Sequence, residues 1–242
     1  GENKSITIIE GSPPYPYYGT VSVLASGVNI SGFTVRNSVQ HGIALGNWTV
    51  EWSGETISDI TVCGNFLYDC TWGISVAGCE RIVIANNIVT KTNGVGIVCE
   101  DSTNCQIVNN TITNNLGYGI FDHGTMHEVP AYNHICNNTI ICNNVGVCVS
   151  AINDTLRNNV IASNIEAGIK IWEDNGYNNT IFHNSFFNKK QAVSGWGMNV
   201  WNDGYPSGGN YWSDYTGVDF YHGPNQNIPV SYTHLTLPTN RE

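Results

Sequence analysis

The chain has 242 residues, 41% of them hydrophobic and 11% aromatic, which is too much buriable surface for a disordered or prion-like Asn-rich tract. Nineteen acidic residues against nine basic ones give a formal charge of −10, which argues against nucleic acid and anionic membrane surfaces as partners. No stretch reaches the length of a membrane span.

The first segment, Lys4-Ser5-Ile6-Thr7-Ile8-Ile9, already reads as a strand, with no basic start and apolar core of a leader before it. The chain is therefore expected to begin after a removed leader or to be part of a longer protein. From Ile30 a cassette recurs, in which an apolar residue, polar residues, Asn and an apolar pair precede Gly-Ile or Gly-Val. It reads Ile30-Ser31-Gly32-Phe33-Thr34-Val35 then Gly42-Ile43, Val62-Cys63-Gly64-Asn65-Phe66-Leu67 then Gly73-Ile74, and Ile84-Ala85-Asn86-Asn87-Ile88-Val89 then Gly96-Ile97. Copies continue at Ile107 with Gly119, Ile135 with Gly146, Leu156 with Gly168, and Ile181.

The cassette Asn residues 65, 87, 110, 138, 159 and 184 advance by 22, 23, 28, 21 and 25, the period range of a solenoid. Within a copy the apolar residues alternate over a few positions between Asn, Gly and Ser, which marks short strands. Neither the Leu-rich cassette nor the helical segment of a leucine-rich repeat is present. Such strands bury their apolar faces by stacking in register. The fold expected is all-β, a right-handed parallel β-helix of coils of about 21 to 28 residues, with neighbouring coils about 4.8 Å apart. The cassette Asn is expected both to ladder with the next coil's Asn and to adopt the left-handed conformation of a tight turn. Gly before Ile or Val is expected to mark a second turn.

Residues 1–193 are assigned to the β-helix and 194–229 to an irregular cap rich in aromatics and Gly. The tail 230–242 abandons the repeat and resembles a translated cloning adapter, so it is expected to be non-native.

The eight cysteines suit either bridges in an exported protein or small buried side chains. Cys63 and Cys136 share a repeat position three coils apart, beyond disulfide reach. Cys99 with Cys105, Cys79 with Cys105, and Cys136 with Cys142 are open to pairing. Asn-x-Ser/Thr occurs at Asn3, Asn29, Asn47, Asn109, Asn137, Asn153 and Asn178. Asn109 and Asn137 fall in tight turns, and Asn3, Asn29, Asn47 and Asn153 are taken as the glycosylation candidates.

Three regions carry candidate chemistry. The longest period holds Asp122-His123-Gly124-Thr125-Met126-His127-Glu128, with His134 following, so His123, His127 and His134 are candidate ligands for copper or zinc. Just past the Gly-Ile turns an acidic column presents Glu100 and Asp101, Asp122, Asp154, and Glu173 with Asp174. Stacked coils would bring such carboxylates to separations used by glycosidases, or let them hold calcium as a lyase would, with Asp101, Asp122, Glu173 and Asp174 the catalytic candidates. In the cap, Trp196, Trp201, Tyr205, Tyr211 and Trp212 suit either closure of the last coil or a sugar-stacking platform.

These coils resemble those of the NosD-type and carbohydrate-binding and sugar-hydrolase families of β-helix proteins, over roughly residues 3 to 229. The segment Gly204-Tyr205-Pro206-Ser207-Gly208-Gly209-Asn210-Tyr211-Trp212-Ser213-Asp214-Tyr215, followed by Gly217, Asp219, Gly223, Pro224 and Gln226, is similar to the C-terminal part of exported archaeal members. The resemblance implies an extracellular or cell-surface protein but no single reaction, since relatives include polysaccharide lyases, hydrolases, epimerases and a periplasmic protein of copper-site assembly. The leading expectation is a carbohydrate-associated surface protein without strong catalysis. The alternatives are a polysaccharide lyase or glycoside hydrolase, a subunit of an extracellular layer that self-associates through the β-helix ends, and a copper-handling protein.

Overall fold

A computed structural model describes residues 5, 7–11, 18–46, 56–124, 130–172, 175–195, 197–204, 207–216, 221–222 and 228–229. Every regular element among them is a β-strand. Each coil contributes one short strand to each of three parallel sheets of nine, eight and seven strands. About eight coils of roughly 23 residues stack into the β-helix that the repeat predicts.

Register is strict from coil to coil. In the eight-stranded sheet Ile74 pairs with Ile97, Ile97 with Ile120, and Ile120 with Val147, and all four are fully buried. The seven-stranded sheet stacks Val62, Ile84, Ile107 and Ile135, and the nine-stranded sheet Leu67, Val89, Ile112 and Ile140. The core is thus three columns of like side chains, each filling the step above its neighbour. Each buried Leu, Val or Ile contributes about 2 kcal/mol.

Asn residues hold the corners. At the first corner the Asn65 backbone N–H donates to Asn87 Oδ1 at 2.9 Å, while Asn65 Nδ2 donates to that oxygen at 3.1 Å and back to the Ile30 carbonyl at 2.9 Å. The pattern repeats through Asn110, Asn138, Asn159, Asn184 and Asn210. The left-handed conformation belongs not to these residues but to the one before each: Gly64, Asn86, Asn109, Asn137, Asn158 and His183. An Asn-Asn pair thus divides the work that sequence reading gave to one residue. The first Asn turns the chain and the second, held extended, ladders.

Two further ladders were not foreseen. Asn115, Asn143, Asn164 and Asn188 run down the second corner and end on Gln191 Oε1. At the third corner Cys105 N–H donates to Asn133 Oδ1, Asn133 to Asp154, Asp154 to Asn179, and Asn179 to Asn199.

The glycines before Ile or Val are also reassigned. Gly73, Gly96, Gly119 and Gly146 do not have positive φ. They face the second ladder so closely that a Cβ on Gly119 would lie 2.6 Å from the Gly146 carbonyl oxygen and 2.9 Å from Asn143 Nδ2. Space between coils, not turn geometry, requires glycine there.

At the C-terminal end, Tyr211–Trp212 pairs in parallel with Ser185–Phe187 and so adds the ninth strand of its sheet. Trp212 stacks on Phe186 at 4.5 Å and 10°, with Trp201 5.6 Å from Trp212, and both tryptophans pack against the core.

Candidate binding face on the eight-stranded sheet

The outward side chains of the eight-stranded sheet combine aromatic, charged and apolar residues. Alternation sends Ile97, Ile120, Val147 and Ile169 inward, so the next residues, Val98, Phe121, Cys148 and Lys170, face out in one register column. A second column holds Glu100, His123 and Ser150. Tyr118 lies 5.1 Å from Phe121 ring to ring, His123 5.4 Å, and Trp172 6.1 Å. Three rings therefore surround Phe121, two from its own strand and Trp172 from two coils further on, and Trp172 remains 42% exposed.

Polar groups edge this cluster. Lys170 Nζ pairs with Glu166 Oε1 at 3.0 Å, which holds the ammonium above its usual range. Partial burial pushes the Glu100 carboxyl up, opposed by the His123 charge on the adjacent strand. Burial also raises the Tyr118 phenol. Beneath the rings Cys148 is fully buried and its thiol is pushed up to about 12, chiefly by burial and against the pull of Lys170 and a hydrogen bond from the Trp172 indole. It is an inert thiol that supports the indole.

Toward the N-terminal coils the same face carries His41, whose Nδ1 lies 2.7 Å from Ser75 Oγ and whose ring meets Trp72 edge-on at 4.9 Å. Burial drops its pKa to about 4, so this imidazole is neutral at ordinary pH.

The structure separates the residues of the acidic column. Glu100 faces outward, Asp101 occupies a left-handed turn position, and Asp122 and Asp154 point into the β-helix, where they are essentially inaccessible. Alternation decides this, because Asp122 follows the outward Phe121 and pairs with Cys99 and Val149, both inward. Glu173 and Asp174 lie outside the described residues, as do His127, Trp196, Tyr205, Asn3 and Asn47. His123 lies on the eight-stranded sheet and His134 on the seven-stranded one, so the two do not share a face. Among the described residues no three His, Cys, Asp or Glu side chains converge on a point that could hold a metal ion. In the cap Tyr211 is exposed and lies 5.2 Å from Phe187, while Trp201 and Trp212 are half-buried. Asn29 is exposed and Asn153 is a half-buried left-handed residue.

The site residues missed in the sequence are Tyr118, Phe121 and Trp172. Their signal was positional: aligned on Gly-Ile, the residue after Ile or Val is Val98, Phe121, Cys148 and Lys170, an outward slot freed from the apolar rule of its neighbours.

No curated protein sequence matches the chain. Among solved structures it is similar to a protein titled Geobacillus virus E2 - ORF18, with a TM-score of 0.51 and 10% identity, over 74% of this chain and 43% of that one. The chain thus spans less than half the length of that relative. It is also similar to an alginate lyase from Paenibacillus sp. str. FPU-7, with a TM-score of 0.35 and 12% identity, over 85% of this chain and 97% of the lyase. The first likeness supports the solenoid fold alone. A family model described as periplasmic copper-binding protein (NosD) matches residues 7–217, nearly the whole stack of coils, and the chain belongs to that NosD family.

Proposed function

We propose that this NosD-family chain is an exported glycan-binding β-helix that holds a polysaccharide strand along the outward face of its eight-stranded sheet. The observation that carries this reading is the cluster of Tyr118, Phe121 and Trp172 around one outward position, with Glu100, His123 and Lys170 beside it. Flat rings suit the C–H faces of sugars, and charged groups at the rim suit hydroxyls or uronate carboxylates. A strand laid across the coils would cross the rings in succession. Calcium has no carboxylate cluster to hold it among the described residues.

The test is equilibrium binding of neutral and uronate polysaccharides, followed by tryptophan fluorescence. Binding that weakens at least tenfold in Phe121→Ala and in Trp172→Ala, with unfolding midpoints kept, supports the reading. Unchanged binding in both variants, or no binding by the parent, overturns it.

A second reading, glycan cleavage, is favoured by one observation: Glu100 is partly desolvated with His123 on the neighbouring strand, a pairing of the kind used for proton transfer. Release of reducing ends, lost in Glu100→Gln, would mark an enzyme. Copper is implied by the description of the family. The described residues do not fit it, because His123 and His134 lie on different sheets and no third ligand joins either. No step is assigned to the metal here.

A further inference from the structure

The third corner of the β-helix places two thiols side by side. Cys99 pairs in register with Asp122 of the following coil, and Cys105 N–H donates to Asn133 Oδ1 at 2.8 Å. Cys99 and Cys105 therefore occupy, one coil earlier, the same two inward positions that Asp122 and Asn133 occupy in the next. In that next coil the two side chains touch, with Asn133 Nδ2 at 3.0 and 3.2 Å from the Asp122 oxygens. The shorter side chains at the same two positions are neighbours as well, Cys105 being the foremost influence on the Cys99 thiol. Both residues are fully buried and belong to one continuous core.

The other cysteines are placed differently. Cys63 and Cys136 are separated by the rungs of Ala85 and Val108, so their shared column cannot bridge them. Cys142 is exposed in a left-handed turn, and Cys148 faces the opposite side of its sheet from Cys99. Cys79 is the rival partner for Cys105, but it lies one coil earlier, where its neighbour Glu80 bridges Thr103, whereas Cys99 belongs to the same turn of the coil as Cys105.

We propose that Cys99 and Cys105 are a modification site, joined by a disulfide when the chain folds in an oxidising compartment such as the periplasm in which its family is found. The reaction is thiol–disulfide exchange with an organic disulfide. One cysteine thiolate attacks a sulfur of that disulfide, giving a mixed disulfide and one released thiol. The second cysteine then attacks the protein-bound sulfur and releases the other thiol. Two S–H bonds are lost, one S–S bond forms, and the two electrons and two protons end on the reduced organic disulfide.

Timing follows from burial. Once the coils close, neither sulfur is accessible, and the neighbouring Cys105 together with burial keeps the Cys99 thiol protonated, so exchange belongs to the unfolded or partly coiled chain. The finished bond is equally sealed. It clips the corner at which the coils cross from the eight-stranded to the seven-stranded sheet.

The experiment is refolding of the full reduced chain from denaturant with oxidised and reduced glutathione. Alkylation in denaturant without reductant and peptide mass mapping follow. The expected result is six alkylated cysteines and a peptide holding Cys99 and Cys105 that is two hydrogens lighter than the dithiol. Native protein should keep that bond under reductant that cleaves it in denaturant. Alkylation of both residues, or a bridge from Cys105 to Cys79, overturns the proposal. A Cys99→Ser variant that folds should leave Cys105 alkylated; if Cys105 stays blocked, the partner assignment is wrong.

Discussion

Asp122 and Asp154, from adjacent coils, face each other inside the β-helix, and Asn133 donates to both, through Nδ2 to the Asp122 oxygens and through its backbone N–H to Asp154 Oδ1 at 2.8 Å. Asp154 Oδ2 is buried with no hydrogen-bond partner among the described residues. Two carboxyls can meet in this way only if one keeps its proton. Burial pushes both up, Asp122 to about 6 from an ordinary 3.8. The other titratable groups nearby are the thiols of Cys99, Cys105 and Cys148, none of which is a cation that could compensate the pair.

A group whose pKa rises on folding stabilises the fold below its unfolded pKa and loses that contribution as pH climbs through the folded value. The thermal midpoint should therefore carry a falling slope from about pH 3 to about pH 7, over which Asp122 loses about 3 kcal/mol at about 1.4 kcal/mol per unit. Asp154→Asn should flatten this slope and raise stability at the alkaline end, because Asp154 is the one acid in a ladder otherwise made of Asn133, Asn179 and Asn199. Calorimetry across pH checks both, and a slope unchanged in the variant would dissociate the dyad from it.

His41 works in the opposite direction. Its pKa is depressed to about 4 by burial, so it stabilises the fold above its unfolded pKa near 6.5 and loses that contribution as pH falls through about 4. His41→Asn should relieve part of the acid loss, up to about 3 kcal/mol, seen as a higher urea midpoint at low pH relative to the parent. Between about pH 4 and pH 6.5 the two sites pull in opposite senses and largely offset each other, so each slope emerges when the other site is replaced.

Removing one rung of the first ladder should be costly in proportion to the groups it orphans. Asn110 accepts from Asn87 and donates to the Ile84 carbonyl at 2.8 Å, to Val108 at 3.1 Å and to Asn138 Oδ1. Asn110→Ala leaves several of these buried groups unmatched at about 1 to 3 kcal/mol each. Asn110→Asp should fare no better, since a carboxylate cannot donate to the Ile84 carbonyl. Equilibrium urea unfolding measures both, and a loss below about 1 kcal/mol would contradict the ladder's role.

Two glycines should respond oppositely to a side chain. Gly119→Ala drives a Cβ to 2.6 Å from the Gly146 carbonyl and should unfold the middle coils or cost several kcal/mol, on the order of other overpacked cores. Gly64 has φ +64° with open space about it, and its equivalents are Asn86 and Asn109. Gly64→Asn should be tolerated or gain about 0.5 kcal/mol by restricting the unfolded chain. Paired thermal melts separate the two cases.

Periodicity made the solenoid legible, because cassettes as short as these have no other way to cover their apolar faces. The first Asn ladder was legible for the same reason, as it sits within the cassette. The second and third ladders escaped although their Asn residues stand five positions to either side, at 115 and 133 against 110 and 138, because corner residues carry no apolar period to announce them. The aromatic face escaped because Trp172 stands 51 positions after Phe121 (172 − 121), and only the stacking of two further coils brings it beside Tyr118 and Phe121.

What the sequence alone determined is the stack itself: the all-β class, the coil length, and the column of amides at the cassette corner, all consequences of a repeat that must bury one face. What only the tertiary structure decided is direction. Phe121 and Asp122 are neighbours in the chain, yet one joins an aromatic surface and the other an interior acid pair, because a strand turns successive side chains to opposite faces and only the register of adjacent coils fixes which face is out.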